Sequence, residues 1–274
     1  MKTKRYLILI LSLISGYSQA QSFYVRAGLG AAICTTPRLS YQSTYTNNGL
    51  TGIEEVKKGG LGDGLPIVAA AGYYFGDNFG VELGVDYFSG FNHKTVSSFN
   101  GDNSTRKTRG SMLAITPALV FKFDLDKISP YARLGIMIGV LNSIINKSSS
   151  TGVKDSANIP HNYVLASKDY GGIAIGVQAA VGAEYALGDR ISLFGEVNLD
   201  GISYAPKKGK YTTFTTDDVD QLPTMTTSEK SWVYVKKLDG SINNSPSDPW
   251  RFSLDNYSFA NVGLIVGVKI NFGK

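Results

Sequence analysis

Eight segments of this 274-residue chain alternate apolar and polar residues with period two, and the connections between them alternate short and long. Period two is the repeat of a β-strand, because successive strand side chains point to opposite faces. The segments are Phe23 to Cys34, Ile67 to Phe75, Phe79 to Tyr87, Leu113 to Phe123, Tyr131 to Val140, Ile173 to Tyr185, Ile191 to Asp200 and Asn261 to Phe272. The clearest sets Phe79, Val81, Leu83, Val85 and Tyr87 against Gly80, Glu82, Gly84 and Asp86. Three connections are tight turns, at Gly76-Asp77-Asn78, Asp124 to Lys127 and Gly188-Asp189, built from residue types that tolerate positive φ. Four are long: Thr35 to Pro66, Gly90 to Ser111, Asn142 to Gly172 and Gly201 to Phe259. Pro117 removes a ladder donor from the fourth segment, which predicts a bulge or a missing hydrogen bond there.

Residues 1–20 stand apart as a signal peptide. Lys2, Lys4 and Arg5 precede an apolar run from Tyr6 to Ile14, and Ser18-Gln19-Ala20 predicts cleavage before Gln21. No stretch reaches the roughly 20 apolar residues of a membrane-spanning helix. Removing the leader takes three charges from the formal net charge of +5, and no clustered Lys/Arg face remains for nucleic acid. The single Cys34 excludes an internal disulfide, and residues 21–274 read as one β domain.

Alternation alone does not say which face looks inward. A soluble barrel would carry Lys and Glu on its polar face, but here that face is rich in glycine (Gly28, Gly72, Gly84, Gly135, Gly182 and Gly267 among others). Glycine suits the narrow interior of a small barrel. The apolar face carries no charge, and its aromatics Phe23, Phe75, Phe79, Phe121, Phe123, Tyr185 and Phe272 gather beside the short turns or a terminus, as a periplasmic aromatic girdle does. Short turns on one side and long polar connections on the other complete the pattern. The fold class expected is all-β: an eight-stranded antiparallel up-and-down transmembrane β-barrel with long extracellular loops. A ten-stranded count, drawing on the connection from Gly201 to Phe259, stays open.

The closing run Gly267-Val268-Lys269-Ile270-Asn271-Phe272 resembles the C-terminal insertion signal of outer-membrane barrels, carried by Gly267, Ile270 and Phe272, although Gly273-Lys274 follows the aromatic. With the strand-turn-strand passages Val181 to Val197 and Ser129 to Gly139, the chain resembles small OmpA/OmpX-type barrels and the outer-membrane β-barrel domain family. The resemblance implies the cell outer membrane, contact with its lipid, and the barrel-assembly machinery as a partner during insertion. It implies no single activity.

Inward charges fall at Arg26, Lys122, Arg133 and Lys269, and at Glu82, Asp86, Glu184, Glu196 and Asp200. Counted from the short turns, Arg26, Glu82, Arg133, Glu196 and Lys269 share a height, and with Glu184 they predict a salt-bridged layer closing the lumen. A gate is the alternative. His93 and His161 lie in different connections without metal-ligand spacing. His93 with Ser97 or Ser98, or His161 with Asp169, would be the arrangements a barrel enzyme needs. No cofactor or metal is expected, and the chain reads as non-enzymatic. The connections also hold Tyr41, Tyr45, Phe91, Phe99, Tyr163, Tyr170, Tyr211, Phe214, Trp232, Tyr234 and Trp250, which either pack on one another or present a site for an extracellular glycan or protein. A structural or surface-interaction role is expected, with a narrow porin-like channel for small solutes as the alternative; aqueous porins need about 16 to 18 strands.

Overall fold

The computed structural model describes residues 21–36, 43–47, 50–56, 59–99, 102–123, 125–238 and 245–272, with side chains left out at 21–22, 43–56 and 98–99. The signal segment, Tyr41, Asp124 and Gly273-Lys274 lie outside the described residues, and of Tyr45 and Phe99 only the backbone is described.

The chain is all-β. Its strands are β1 Gln21–Cys34, β2 Ser43–Asn47, β3 Leu50–Val56, β4 Gly64–Phe75, β5 Phe79–Gly90, β6 His93–Phe99, β7 Asp102–Lys122, β8 Ile128–Lys154 and β9 Pro160–Tyr170. They continue as β10 Ala174–Ala186, β11 Ile191–Tyr204, β12 Lys208–Thr216, β13 Val219–Asp220, β14 Ser231–Val235, β15 Trp250–Ser253, β16 Tyr257–Ser258 and β17 Asn261–Phe272; the one short helix among the described residues is α1, Thr227–Lys230. Pairing is antiparallel except between β14 and β15. Antiparallel ladders join β1 to β4, β4 to β5, β5 to β7, β7 to β8, β8 to β10, β10 to β11 and β11 to β17. β17 then pairs with β1 from Phe23↔Phe272 to Cys34↔Asn261, so the succession of ladders returns to its first strand.

All eight alternating segments are strands of this succession. β11 and β17 pair directly over ten residue pairs, so the 208–235 stretch inserts nothing between them. The ladder between β7 and β8 lapses at Thr116 and Pro117 while keeping its register, which is the missing-bond outcome for Pro117; the bulge lies elsewhere, at Leu113/Ala114. The connections differ from expectation. β7 and β8 do not stop at Leu113 and Val140 but run on to Asp102 and Lys154, paired through Asn103↔Thr151. β9 adds to β8 and β12 adds to β9, so much of the expected loop is an extension of the sheet.

The outward face carries the apolar parity: Leu29, Ile33, Leu83, Leu119, Leu134, Ile175, Leu199 and Leu264 are all exposed. The inward face is packed in layers, ordered by register upward from the short turns. Tyr24, Tyr74 and Val120 cluster lowest, then Val68, Tyr131, Phe194 and Ile265. At the top, Leu61, Met112, Met137, Ile144, Ile202, Tyr204 and Phe259 form an apolar plug that sequence reasoning did not anticipate. Inward glycines make seats for rings. Gly28 lies opposite Gly267, and the Phe194 ring crosses both; a Cβ on Gly267 would lie 2.6 Å from that ring and 2.1 Å from the Ala27 carbonyl oxygen. Gly72 under Tyr24 and Gly182 under Tyr131 repeat the device.

Candidate functional site

Two places concentrate polar chemistry: the packed interior, and a cleft on the sheet extension. In the interior, Glu82 on β5 accepts from Arg26 on β1 through Nε at 2.8 Å and Nη2 at 2.9 Å, and from the Tyr24 hydroxyl at 2.9 Å. Glu196 on β11 accepts from Arg26 Nη1 at 3.2 Å, Arg133 Nη2 at 2.7 Å and the Tyr131 hydroxyl at 2.7 Å. Arg133 Nη1 donates to Gln178, and its Nε stands 3.7 Å from Glu82. Period-two parity is what aims these four charges at one another from four strands. The Arg26 guanidinium also stacks over Phe194, 5.1 Å from the ring centre. All four charged residues are buried.

Lys269 and Glu184, read in the sequence as members of the same layer, form a separate pair. Lys269 Nζ donates to Glu184 at 2.7 Å and to the Tyr74 hydroxyl at 3.1 Å, and lies over the Tyr24 ring at 4.0 Å. The six residues therefore divide into a four-residue network and a two-residue one. Counting residues from a turn ignores strand tilt and stagger, and a lysine stem reaches past its own register level.

The aromatics beside the short turns meet at the rim. Phe23 approaches Phe272 at 5.8 Å, while Phe121 is held between Phe79 at 4.7 Å and Phe123 at 4.6 Å. Phe23, Phe75, Phe79, Phe123, Tyr185 and Phe272 are exposed, and the stacked Phe121 is half-buried. Gly267, Ile270 and Phe272 lie on β17, where Ile270 and Phe272 face outward and Gly267 seats Phe194.

The second place is an open cleft of about 630 Å³ on the sheet extension, lined by Arg106, Asn146, Asp169, Tyr211, Trp232, Tyr234, Phe252 and Tyr257 among others. Asp169 Oδ1 accepts from Trp232 Nε1 at 2.9 Å and from the Tyr234 hydroxyl at 2.8 Å, which locks two rings to β9. Burial pushes the Asp169 carboxyl up from its ordinary range, against the hydrogen bonds from Tyr234 and Trp232 that pull it down. Tyr211 meets Trp232 edge-on at 5.3 Å, and Trp232 meets Phe252 at 6.3 Å. Gly209 admits the Trp232 indole, 2.0 Å from where a Cβ would stand. Of the aromatics singled out in the sequence, Tyr211, Phe214, Trp232 and Tyr234 come together, and Phe91 and Tyr163 do not join them. Phe252 and Tyr257 were missed; Trp250-Arg251-Phe252 was a weak alternation in an otherwise polar stretch.

Among the described side chains, neither histidine meets the partner that the sequence suggested for it. His161 contacts Asp217 at 2.6 Å and Asp155 at 3.4 Å, whereas Asp169 is engaged with Trp232 and Tyr234. His93 lies 3.4 Å from Asp63. Ser97 is four residues along the same strand, about 13 Å away at a strand's rise.

No curated protein matches the sequence. Among solved structures, the outer membrane protein OprG from Pseudomonas aeruginosa is similar at 13% identity, covering 93% of this chain and 98% of its own, with a TM-score of 0.41. The translocator domain of autotransporter NalP from Neisseria meningitidis is similar at 10% identity, covering 100% and 95%, with a TM-score of 0.21. The decisive match is to the profile of the outer membrane protein beta-barrel domain, which extends over residues 7–221. The chain belongs to the outer membrane protein beta-barrel domain family.

Proposed function

We propose that residues 21–274 form an eight-stranded up-and-down barrel in the outer membrane, closed along its axis, and that it is a non-enzymatic surface-interaction protein. The observation that carries this reading is the contrast between its two spaces. The interior void beneath the apolar plug is about 20 Å³, room for about one water, while the cleft on the sheet extension is about 630 Å³. The charged networks and the plug fill the axis, so a solute channel finds no support in the packing. The cleft combines flat rings with the carboxylates of Asp169 and Asp255, the Arg106 guanidinium and the Asn146 amide. Ring faces take the C–H face of a sugar and the polar groups take its hydroxyls, which favours a glycan over a protein ligand.

The remaining parts of the reading follow the same geometry. Residues 1–20 serve as a signal peptide, and both ends of the mature chain face the periplasm beside the short turns. Phe23, Phe75, Phe79, Phe121, Phe123, Tyr185 and Phe272 ring the inner membrane boundary against lipid, and Gly267, Ile270 and Phe272 engage the barrel-assembly machinery during insertion. Two measurements on the refolded mature chain test the function. Planar-bilayer recording is expected to give no steady conductance, and steady conductance refutes a closed axis. Glycan-array binding is expected and is lost in Trp232→Ala; binding only to proteins refutes the glycan assignment.

A further inference from the structure

The sheet extension has a second face, opposite the cleft. On β7 and β8 it continues the outward parity above the bulge at Leu113/Ala114, through the pairs Leu113↔Leu141, Ser111↔Ser143, Arg109↔Ile145 and Lys107↔Lys147. The two serine hydroxyls meet at 2.9 Å. Going up this face, hydrocarbon gives way to hydroxyls and then to cations. The next outward pairs, Thr105↔Ser149 and Asn103↔Thr151, carry no charge. The cations are therefore confined to one level.

Neighbouring strands supply the same level. Lys94 of β6 is the register partner of Lys107, so Lys94, Lys107 and Lys147 stand in line across three strands, over about 10 Å. Lys168 of β9 pairs with Ile145, and Lys210 of β12 pairs with Lys168. Five of these six cations are exposed, and Lys168 is half-buried. None of them has an ion-pair partner among the described residues. The five strands hold two carboxylates, Asp102 and Asp169, and both stand at positions of the opposite, inward parity. Register places Glu55 of β3 on the cationic face opposite Val96, one strand beyond Lys94. Like charges directly opposite one another destabilise a ladder, so the row costs stability unless an anion covers it. The expectation of no clustered Lys/Arg face is thus corrected: the cations are dispersed in the sequence, and strand register gathers them.

We propose that this belt binds the phosphate groups of an anionic lipid in the outer leaflet, with Arg109, Lys107, Lys147 and Lys168 at its centre. The proposal rests on the reading that the outward face meets lipid. The order along β7 and β8, apolar then hydroxyl then cation, is the order in which a leaflet presents acyl chains and headgroups. Arg109 lies four residues beyond Leu113, about 13 Å along the strand and about 10 Å along the membrane normal at a barrel strand's tilt. Long basic side chains keep their stems against apolar surface and their heads in the polar layer, and each gains affinity beside an anionic lipid surface. Confinement to one level directly above an apolar band favours a layer of headgroups over a nucleic acid or an acidic protein, neither of which calls for that band.

The test uses the full mature chain. Refolding into phosphatidylcholine vesicles, read by heat-dependent gel mobility, checks the barrel by itself; its failure there refutes the membrane reading and the proposal with it. Native mass spectrometry from mixed micelles then measures retention of bisphosphorylated lipid A and of the same lipid stripped of both phosphates. A preference of about ten-fold or more for the phosphorylated form is expected, falling about 30-fold in affinity in Lys107→Gln/Lys147→Gln. That variant is also expected to match or exceed the wild-type thermal midpoint in phosphatidylcholine alone, where facing charges are relieved, and to fall below it with lipid A present. Arg109→Gln/Lys168→Gln takes its place if it does not fold. Lys127→Gln/Arg190→Gln removes two exposed charges beside the short turns and should leave retention unchanged. Equal retention of both lipids by the wild type, or an equal loss in the short-turn variant, overturns the proposal. So does release of the lipid by millimolar inorganic phosphate, which would assign the belt to the free ion.

Discussion

The Lys269–Glu184 pair offers a quantitative test of how the interior is held together. Lys269 is the more deeply buried partner, its side chain 1% exposed against 9% for Glu184, so stranding the lysine costs more than stranding the glutamate. Removing one partner of a buried ion pair costs about 3–5 kcal/mol. Glu184→Leu belongs near the lower end, at about 3 kcal/mol, because the Tyr24 and Tyr74 rings lie 4.0 and 4.7 Å from Nζ and keep part of the cation's stabilisation. Lys269→Met leaves a carboxylate closer to water and costs about 2 kcal/mol. In the double variant no charge is stranded, and the Tyr74 hydroxyl loses only its lysine donor. The expected loss is about 2 kcal/mol rather than the additive 5, a coupling of about 3 kcal/mol. Urea titration in lipid vesicles, read by heat-dependent gel mobility, measures all four proteins. Additive losses would refute the claim that these two residues compensate each other.

The cleft and the outer turns make further predictions. Hydrogen bonds that His161 donates to Asp217 and then to Asp155 raise its pKa above the ordinary value of about 6.5. The clamp between the Asp155 turn and the Asp217 turn is therefore fully present below about pH 6.5 and is lost as pH rises through the raised value. NMR titration should give a midpoint above 6.5 that falls back in Asp217→Asn; an unmoved midpoint refutes the clamp. Gly267→Ala places a methyl against Phe194 and the Ala27 carbonyl oxygen and should block the heat-stable fold, whereas Gly195→Ala meets nothing within 4 Å and should leave stability unchanged within about 0.5 kcal/mol. Trp232→Phe keeps a ring in the cleft but removes the indole N–H from Asp169, so hydrogen exchange in β12 and β14 should accelerate by the loss of about 1 kcal/mol, with the heat-dependent mobility of the protein unchanged.

What could be read from the sequence divides along the solvent each face meets. Where one face is apolar and the other is packed, as from Phe79 to Tyr87, period two marks both strand and orientation. Parity also brought Arg26, Glu82, Arg133 and Glu196 to one face, and they do meet. It failed from Asp102 to Gly110 and from Asn146 to Lys154, where Ser, Thr, Asn and Lys stand on both faces of β7 and β8. With water on each side there is no alternation to detect, although the ladder continues unbroken. The plug escaped notice because Met137 stands on a face read as polar, while Met112 and Phe259 fall just outside the eight segments and were given no face. The cleft was visible only as scattered aromatics. Tyr211, Trp232 and Phe252 become neighbours because β12 pairs with β14 and β14 with β15, a pairing that no local pattern announces.

The seam between β1 and β17 joins the two ends of the described chain. Phe23 and Phe272 are 249 residues apart in the chain, yet they pair directly. Every other ladder of the ring joins strands nearer in sequence; the last strand, β17, completes two of them, with β11 and with β1. Without β17, β1 would present an unpaired edge of twelve positions, the kind of surface that recruits a wrong strand. Pairing with β17 on one side and β4 on the other covers both edges of β1, so the ring of ladders presents no free edge there.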